Sequence, residues 1–162
     1  MPYVMFHAYF PELAEEETRS FTVFDDDAQL PAGSYGLIES YCDECDCRRV
    51  FFSVISSRSE RVEAVIAYGW ESRAFYAEWM GDNDSEIIDG LQGPVLNQMS
   101  PQSSHAPAIL EMVRNVVLQD SAYVERLKTH YWMFRHHIDT QSTQERKKKR
   151  RKSKRKRRTR RK

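Results

Sequence analysis

The sequence VFFSVIS at residues 50–56 decides the fold class, because it is typical of a buried strand. Runs at residues 35–41 and 62–68 flank it and are also rich in Val, Ile, Phe and Tyr. The polar breaks between these three runs are too short for the crossovers that parallel strands need, so the strands are predicted to be antiparallel. A short edge strand at residues 3–6 and a further strand at residues 21–24 are also predicted.

The hydrophobic period becomes helical after Gly69, and the last predicted helix is the longest. A short helix is also expected at residues 11–18, where Pro11 occupies a favourable first position. The last helix begins at Ser121 and places five apolar residues at spacings of 3, 4, 3 and 4: Val124, Leu127, Tyr131, Phe134 and Ile138. The predicted fold is therefore α+β, with a small antiparallel sheet of three to five strands in the N-terminal half packed against helices of the C-terminal half.

The charges of the chain are divided very unevenly between its body and its C-terminus. Fifteen of the last 17 residues are Lys or Arg, and only Ser153 and Thr159 interrupt the run. The cationic residues are Arg146, Lys147, Lys148, Lys149, Arg150, Arg151, Lys152, Lys154, Arg155, Lys156, Arg157, Arg158, Arg160, Arg161 and Lys162. Residues 1–145 contain 10 basic and 24 acidic residues, a net charge of −14. The +1 charge of the whole chain hides this division.

This division predicts the domain organisation and the class of partner. Residues 1–138 are expected to form one acidic globular domain, residues 139–145 a polar linker, and residues 146–162 a disordered basic tail, because like charges without apolar residues cannot form a core. Such a tail binds phosphate polymers by releasing counterions. The sequence predicts a non-enzymatic accessory protein that binds RNA or DNA without sequence preference and contacts a protein partner through its domain. The alternative is a regulatory module whose tail docks on its own acidic body.

All three cysteines lie within six residues, in the segment Cys42-Asp-Glu-Cys45-Asp-Cys47. The segment separates two predicted strands, so it is expected to form a hairpin turn that directs several thiols towards one point. Zinc in structural sites takes four Cys or His ligands in tetrahedral geometry. Cys42, Cys45 and Cys47 with His7 are the predicted ligands of a structural Zn²⁺, since His7 follows a predicted edge strand.

Other interpretations of the cysteines stay open. His105 is the second choice for the fourth ligand, ahead of the three histidines of the last helix. Three free thiols in an acidic loop are an alternative to a metal site, and so is a disulfide between Cys42 and Cys47. A cytosolic setting disfavours the disulfide.

The hairpin sequence from Tyr41 to Ser56, with its C-x2-C-x-C element, resembles a group of small bacterial proteins that have no assigned activity. The segments IAYGWE at residues 66–71 and GPVLN at residues 93–97 are similar to that group as well. The resemblance implies no catalytic residues. No nucleotide-binding, metalloprotease or nucleophile motif occurs in the sequence, so no enzymatic activity is predicted. The absence of a signal-peptide pattern and of long apolar runs predicts a cytoplasmic protein.

Overall fold

The computed structural model describes residues 3–26 and 29–159, with the backbone alone described for residues 154–159. Within these residues the chain forms an α+β fold, as the sequence predicts. The strands are β1 (Tyr3–Met5), β2 (Ser20–Val23), β3 (Gly33–Cys42), β4 (Arg49–Ser56), β5 (Val62–Gly69) and β6 (Val95–Leu96). The α-helices are α1 (Pro11–Glu17), α2 (Arg73–Met80), α3 (Ser85–Gln92), α4 (Ala106–Asn115) and α5 (Ser121–Thr159). Short 3-10 helices span Phe6–Ala8 and Val117–Gln119.

The sheet is antiparallel and follows the order β1-β3-β4-β5-β6, with β2 also paired to β3. β3 is long enough to hold two neighbours on the same edge. One end pairs with β1, where Tyr3 lies opposite Cys42, and the other end pairs with β2, where Val23 lies opposite Gly33. We call residues 42–47 the cysteine turn, and the register places it beside the start of β1.

One face of the sheet carries the core. Tyr35, Leu37, Glu39 and Tyr41 alternate along β3 and are buried, as residues two apart share a face. Side chains of α4 and α5 cover this face and join one hydrophobic cluster with it. Burial of a side chain such as Phe134, which is fully buried in α5, contributes about 1.5–3 kcal/mol. The predicted packing of the sheet against C-terminal helices is confirmed.

The sheet has six strands among the described residues, whereas three to five were predicted. The additional strand is β6, which pairs with β5 and was not predicted from the sequence. The turn before β6 depends on Gly93, whose φ is +64°. A Cβ at this position would lie 2.4 Å from the carbonyl oxygen of Ala67, so the chain can approach β5 this closely only with glycine.

The C-terminal helix differs most from the sequence prediction. A linker at residues 139–145 and a disordered tail were expected, but α5 continues without a break to Thr159. Residues 139–159 contain no Gly or Pro and are rich in Lys and Arg, which favour helix. The packed part of α5 also supplies the helix nucleus, which is the costly step. We call residues 139–159 the α5 extension and residues 146–162 the basic tail.

Candidate functional site

The α5 extension leaves the core at a definite residue. Ile138 is the last residue of α5 that packs against the hydrophobic cluster. Residues 139–153 are all exposed. At 1.5 Å per residue, Arg146 lies about 12 Å beyond Ile138 and Thr159 about 32 Å beyond it. The predicted binding residues from Arg146 to Arg158 therefore lie on a helix that projects from the domain, while Arg160, Arg161 and Lys162 lie outside the described residues.

Polar side chains in the first turns of the extension bond to the helix itself. The Thr140 hydroxyl donates to the His136 carbonyl at 2.8 Å. The hydroxyls of Ser142 and Thr143 donate to the Asp139 carbonyl at 3.0 and 2.9 Å. These residues therefore add hydrogen bonds along the helix instead of forming the predicted linker.

The described cations of the basic tail have no acidic partner. Among the side chains that the structure describes, every ion pair involves residues at or before Asp139, and Arg146 to Lys152 take part in none. Arg135 pairs with Asp139 at 3.5 Å, just before the cationic run. The charge of this surface is thus available to a ligand.

The three thiols lie together in the turn between β3 and β4, as predicted. Cys42 and Cys47 are buried, Cys45 is half-buried, and all three are free. The sulfurs of Cys42 and Cys45 are 2.8 Å apart. This distance is longer than a disulfide of about 2.05 Å and shorter than the spacing of about 3.8 Å between two thiolates on tetrahedral zinc.

Burial raises the pKa of Cys45, and contacts with the thiols of Cys42 and Cys47 raise it further. Burial also raises the pKa of Cys47. In the absence of a cation the raised pKa values of Cys45 and Cys47 favour their protonated thiols at neutral pH, which are poor nucleophiles.

The structure does not bring His7 to the thiols. The pairing of β1 with β3 places Tyr3 opposite Cys42, whereas His7 follows the other end of β1 and lines a small cavity with Ile38 and Glu39. His105 is also separate, since its Nδ1 lies 3.0 Å from the carbonyl oxygen of Gln29. Across the described part of the chain, no three Cys, His, Asp or Glu side chains are arranged to hold a metal ion.

The cysteine turn is fastened to α5. The Tyr131 hydroxyl donates to Asp46 Oδ1 at 2.5 Å. Arg135 Nη1 donates to the carbonyls of Asp43 and Cys45 at 3.1 and 3.5 Å. The same helix therefore holds the thiol cluster with its first half and carries the basic tail at its end.

A second polar cluster is buried between α1, β3 and α5. His130 is 2% exposed, and its Nδ1 and Nε2 lie 2.8 Å from Glu39 Oε2 and 2.6 Å from Glu17 Oε2. The Tyr41 hydroxyl donates to the same Glu39 oxygen at 2.7 Å. The adjacent cavity measures about 10 Å³, room for about one water, so the cluster has no space for a substrate.

The two carboxylates favour the protonated, cationic form of His130. Burial alone would lower the pKa of His130, but the hydrogen bonds and charges of Glu39 and Glu17 outweigh it, and the pKa is raised. In this protonated form both ring nitrogens donate, and the imidazolium links α1 and β3 to α5. Sequence reasoning missed this cluster because it treated the inward face of α5 as wholly apolar. The available signal was Glu39, which interrupts the apolar alternation of β3.

No family model, curated protein or solved structure matches this chain. Within residues 3–26 and 29–159, no helix is both long enough and apolar enough to span a membrane.

Proposed function

We propose that the protein is a non-enzymatic nucleic-acid-associated accessory protein whose basic tail binds RNA or DNA without sequence preference. The observation that carries this proposal is the unbroken course of α5 from the buried core to Thr159. The helix presents a dense row of cations, and the acidic domain stays at its other end. A cytoplasmic location, as the sequence predicts, suits the three free thiols.

The length of the α5 extension is what makes binding feasible. A body of net charge −14 repels phosphates if it lies close to them. The Debye length is about 10 Å at 0.1 M salt, and the first cation lies about 12 Å beyond Ile138. Salt therefore screens most of the repulsion between the domain and a polyanion bound along the basic tail.

The domain is proposed to contact a protein partner. Trp79 and Met80 of α2 and Ile87 of α3 are exposed apolar side chains on neighbouring helices. Exposed apolar groups on adjoining elements favour a protein contact. In the alternative function, the tail docks on its own acidic body, and this requires α5 to break between Ile138 and Arg146.

Salt dependence tests the binding proposal. If about eight phosphates are neutralised on a duplex, log K is expected to fall against log salt with a slope near −7. Fluorescence anisotropy measures this slope, with a labelled duplex of about 20 base pairs titrated with the full chain at salt concentrations from about 50 to about 300 mM. Affinity that does not change with salt would exclude the tail as the binding element.

We also propose that the cysteine turn binds a structural Zn²⁺ through Cys42, Cys45 and Cys47. The three free thiols of one turn support it, since the Cys45 thiol contacts those of both Cys42 and Cys47. Binding requires the sulfurs of Cys42 and Cys45 to separate to about 3.8 Å, and it requires a fourth donor. In this proposal the metal stabilises the turn on which Tyr131 and Arg135 of α5 rest.

Metal analysis of the purified full chain tests the zinc proposal. About one zinc per chain is expected for the wild type, and close to none for Cys45→Ser, because two thiols do not complete a structural site. His7→Ala is the matched control, and it should keep its zinc because His7 lies at the far end of β1. Zinc-free wild-type protein would contradict the proposal, and loss of zinc from His7→Ala would restore His7 as the fourth ligand.

A further inference from the structure

We infer that the preferred ligand of the basic tail is a B-form DNA duplex, with the helical residues 146–159 lying in its major groove. This inference rests on the proposed function and narrows its ligand from nucleic acids in general to one form. It depends on the helical state of the tail, whereas an extended tail would bind any phosphate chain.

The linear charge density of the helix matches that of duplex DNA. Twelve of the 14 residues from Arg146 to Thr159 are Lys or Arg, which at 1.5 Å per residue gives one cation per about 1.75 Å of helix. A DNA duplex carries one negative charge per about 1.7 Å of its axis when both strands are counted. An extended tail rises about 3.3–3.6 Å per residue and would present one cation per about 4 Å. Only the helical form of the tail matches the combined linear charge density of the two DNA strands.

The shape and charge distribution of the helix also fit the major groove. An α-helix with its side chains is about 10–12 Å wide, and the major groove of B-DNA is about 12 Å wide. Residues 146–152 are seven consecutive cations, all exposed, so they point in every direction around the helix. A helix in the groove has phosphates on both sides, and a cationic surface with no apolar face suits that position.

Double-stranded RNA does not offer the same site. The major groove of an A-form duplex is deep and narrow, and its wide minor groove is shallow. A helix can only lie across an RNA duplex and reach the phosphates on one side. Like charges three and four residues apart destabilise the free helix, and phosphates on both sides relieve that repulsion more fully than phosphates on one side.

The test compares three ligands with the full chain: a DNA duplex, an RNA duplex of the same sequence and the DNA single strand, each labelled for anisotropy at about 100 mM salt. We expect the DNA duplex to bind at least about fivefold more tightly than the RNA duplex. Helix content, measured by circular dichroism, should be retained when the DNA duplex binds. Equal affinities for the three ligands, or a preference for RNA, would overturn this inference and leave the proposed function standing.

A helix-breaking variant links the preference to the helix. Gln144→Pro removes the backbone donor and interrupts α5, but it changes no charge and lies six residues beyond Ile138. This variant should bind all three ligands while losing its preference for the DNA duplex. Gln144→Ala is the matched control and should keep the preference. A preference retained in Gln144→Pro would refute the role of the helix, and failure of the wild type to bind any ligand would refute the proposed function itself.

Discussion

Removal of residues 146–162 is expected to weaken binding to a DNA duplex on the order of a hundredfold or more at 100 mM salt. The truncated chain has a net charge of −14, because all 15 cations of the tail are lost and the 24 acidic residues remain. Non-specific binding is almost entirely electrostatic, so an acidic domain retains little of it. Anisotropy titration of the full and truncated chains at the same salt concentration measures the difference.

The truncation is a fair test because it leaves the core intact. Ile138 is the last residue of α5 that packs against the domain, and residues 139–153 are exposed. The truncated chain should therefore keep the thermal transition of the domain. A full-length variant with all 15 cations replaced by Gln separates charge from length, and it should bind as weakly as the truncated chain. Undiminished affinity in either variant would place the binding surface on the domain.

His130→Gln is expected to lower the free energy of unfolding by about 3–5 kcal/mol, since it leaves buried carboxylate charge without a cation. Glu39 is 6% exposed and has no other cationic partner among the described residues. Urea denaturation of the full chain gives the value. His136→Gln is the matched control, because His136 is exposed on the same helix and its loss should change little.

A second substitution tests whether the uncompensated charge causes the loss of stability in His130→Gln. Glu39→Gln in the His130→Gln background removes the uncompensated charge and should recover part of the lost stability. If the double variant is no more stable than His130→Gln, the loss came from packing and not from charge. The lost packing would then be the stacking of Phe6 on the His130 ring, whose centroids are 4.3 Å apart.

The same cluster predicts a pH dependence with a definite sign. The pKa of His130 is raised in the folded chain above its unfolded value near 6.5. Its contribution to stability is therefore fully present below that value and is lost as pH rises through the folded pKa. The stability difference between wild type and His130→Gln should shrink towards alkaline pH. Besides Glu39 and Glu17, the nearby charged and titratable groups are Tyr41, His7 and Arg126, which lies 3.9 Å from Glu17.

The sheet was predictable because its strands have short connections and a regular alternation. The predicted strands at residues 35–41, 50–56 and 62–68 lie within β3, β4 and β5. The observed strands extend beyond the predicted ends by at most two residues. β6 was missed because two residues give no periodic signal, and its position depends on the close approach of Gly93 to Ala67.

The candidate sites were predictable only where they are local in sequence. Cys42, Cys45 and Cys47 share one turn, so their proximity follows from the hairpin alone. The fourth ligand depends on the register of β1, and that register places His7 away from them. The pairing of His130 with Glu17 and Glu39 spans more than 90 residues. The helical tail was missed because its charge repulsion was weighed without the nucleus that α5 supplies.

The distance between the start of α5 and a position within the basic tail tests the central claim most directly. Nitroxide labels introduced as noncanonical amino acids at positions 121 and 153 leave the three thiols unmodified, and pulsed electron paramagnetic resonance reports their separation. A continuous helix predicts about 48 Å over these 32 steps, unchanged between low and moderate salt. A short, broad distribution at low salt that lengthens as salt is added would show the tail docked on its own acidic body, and would contradict the account.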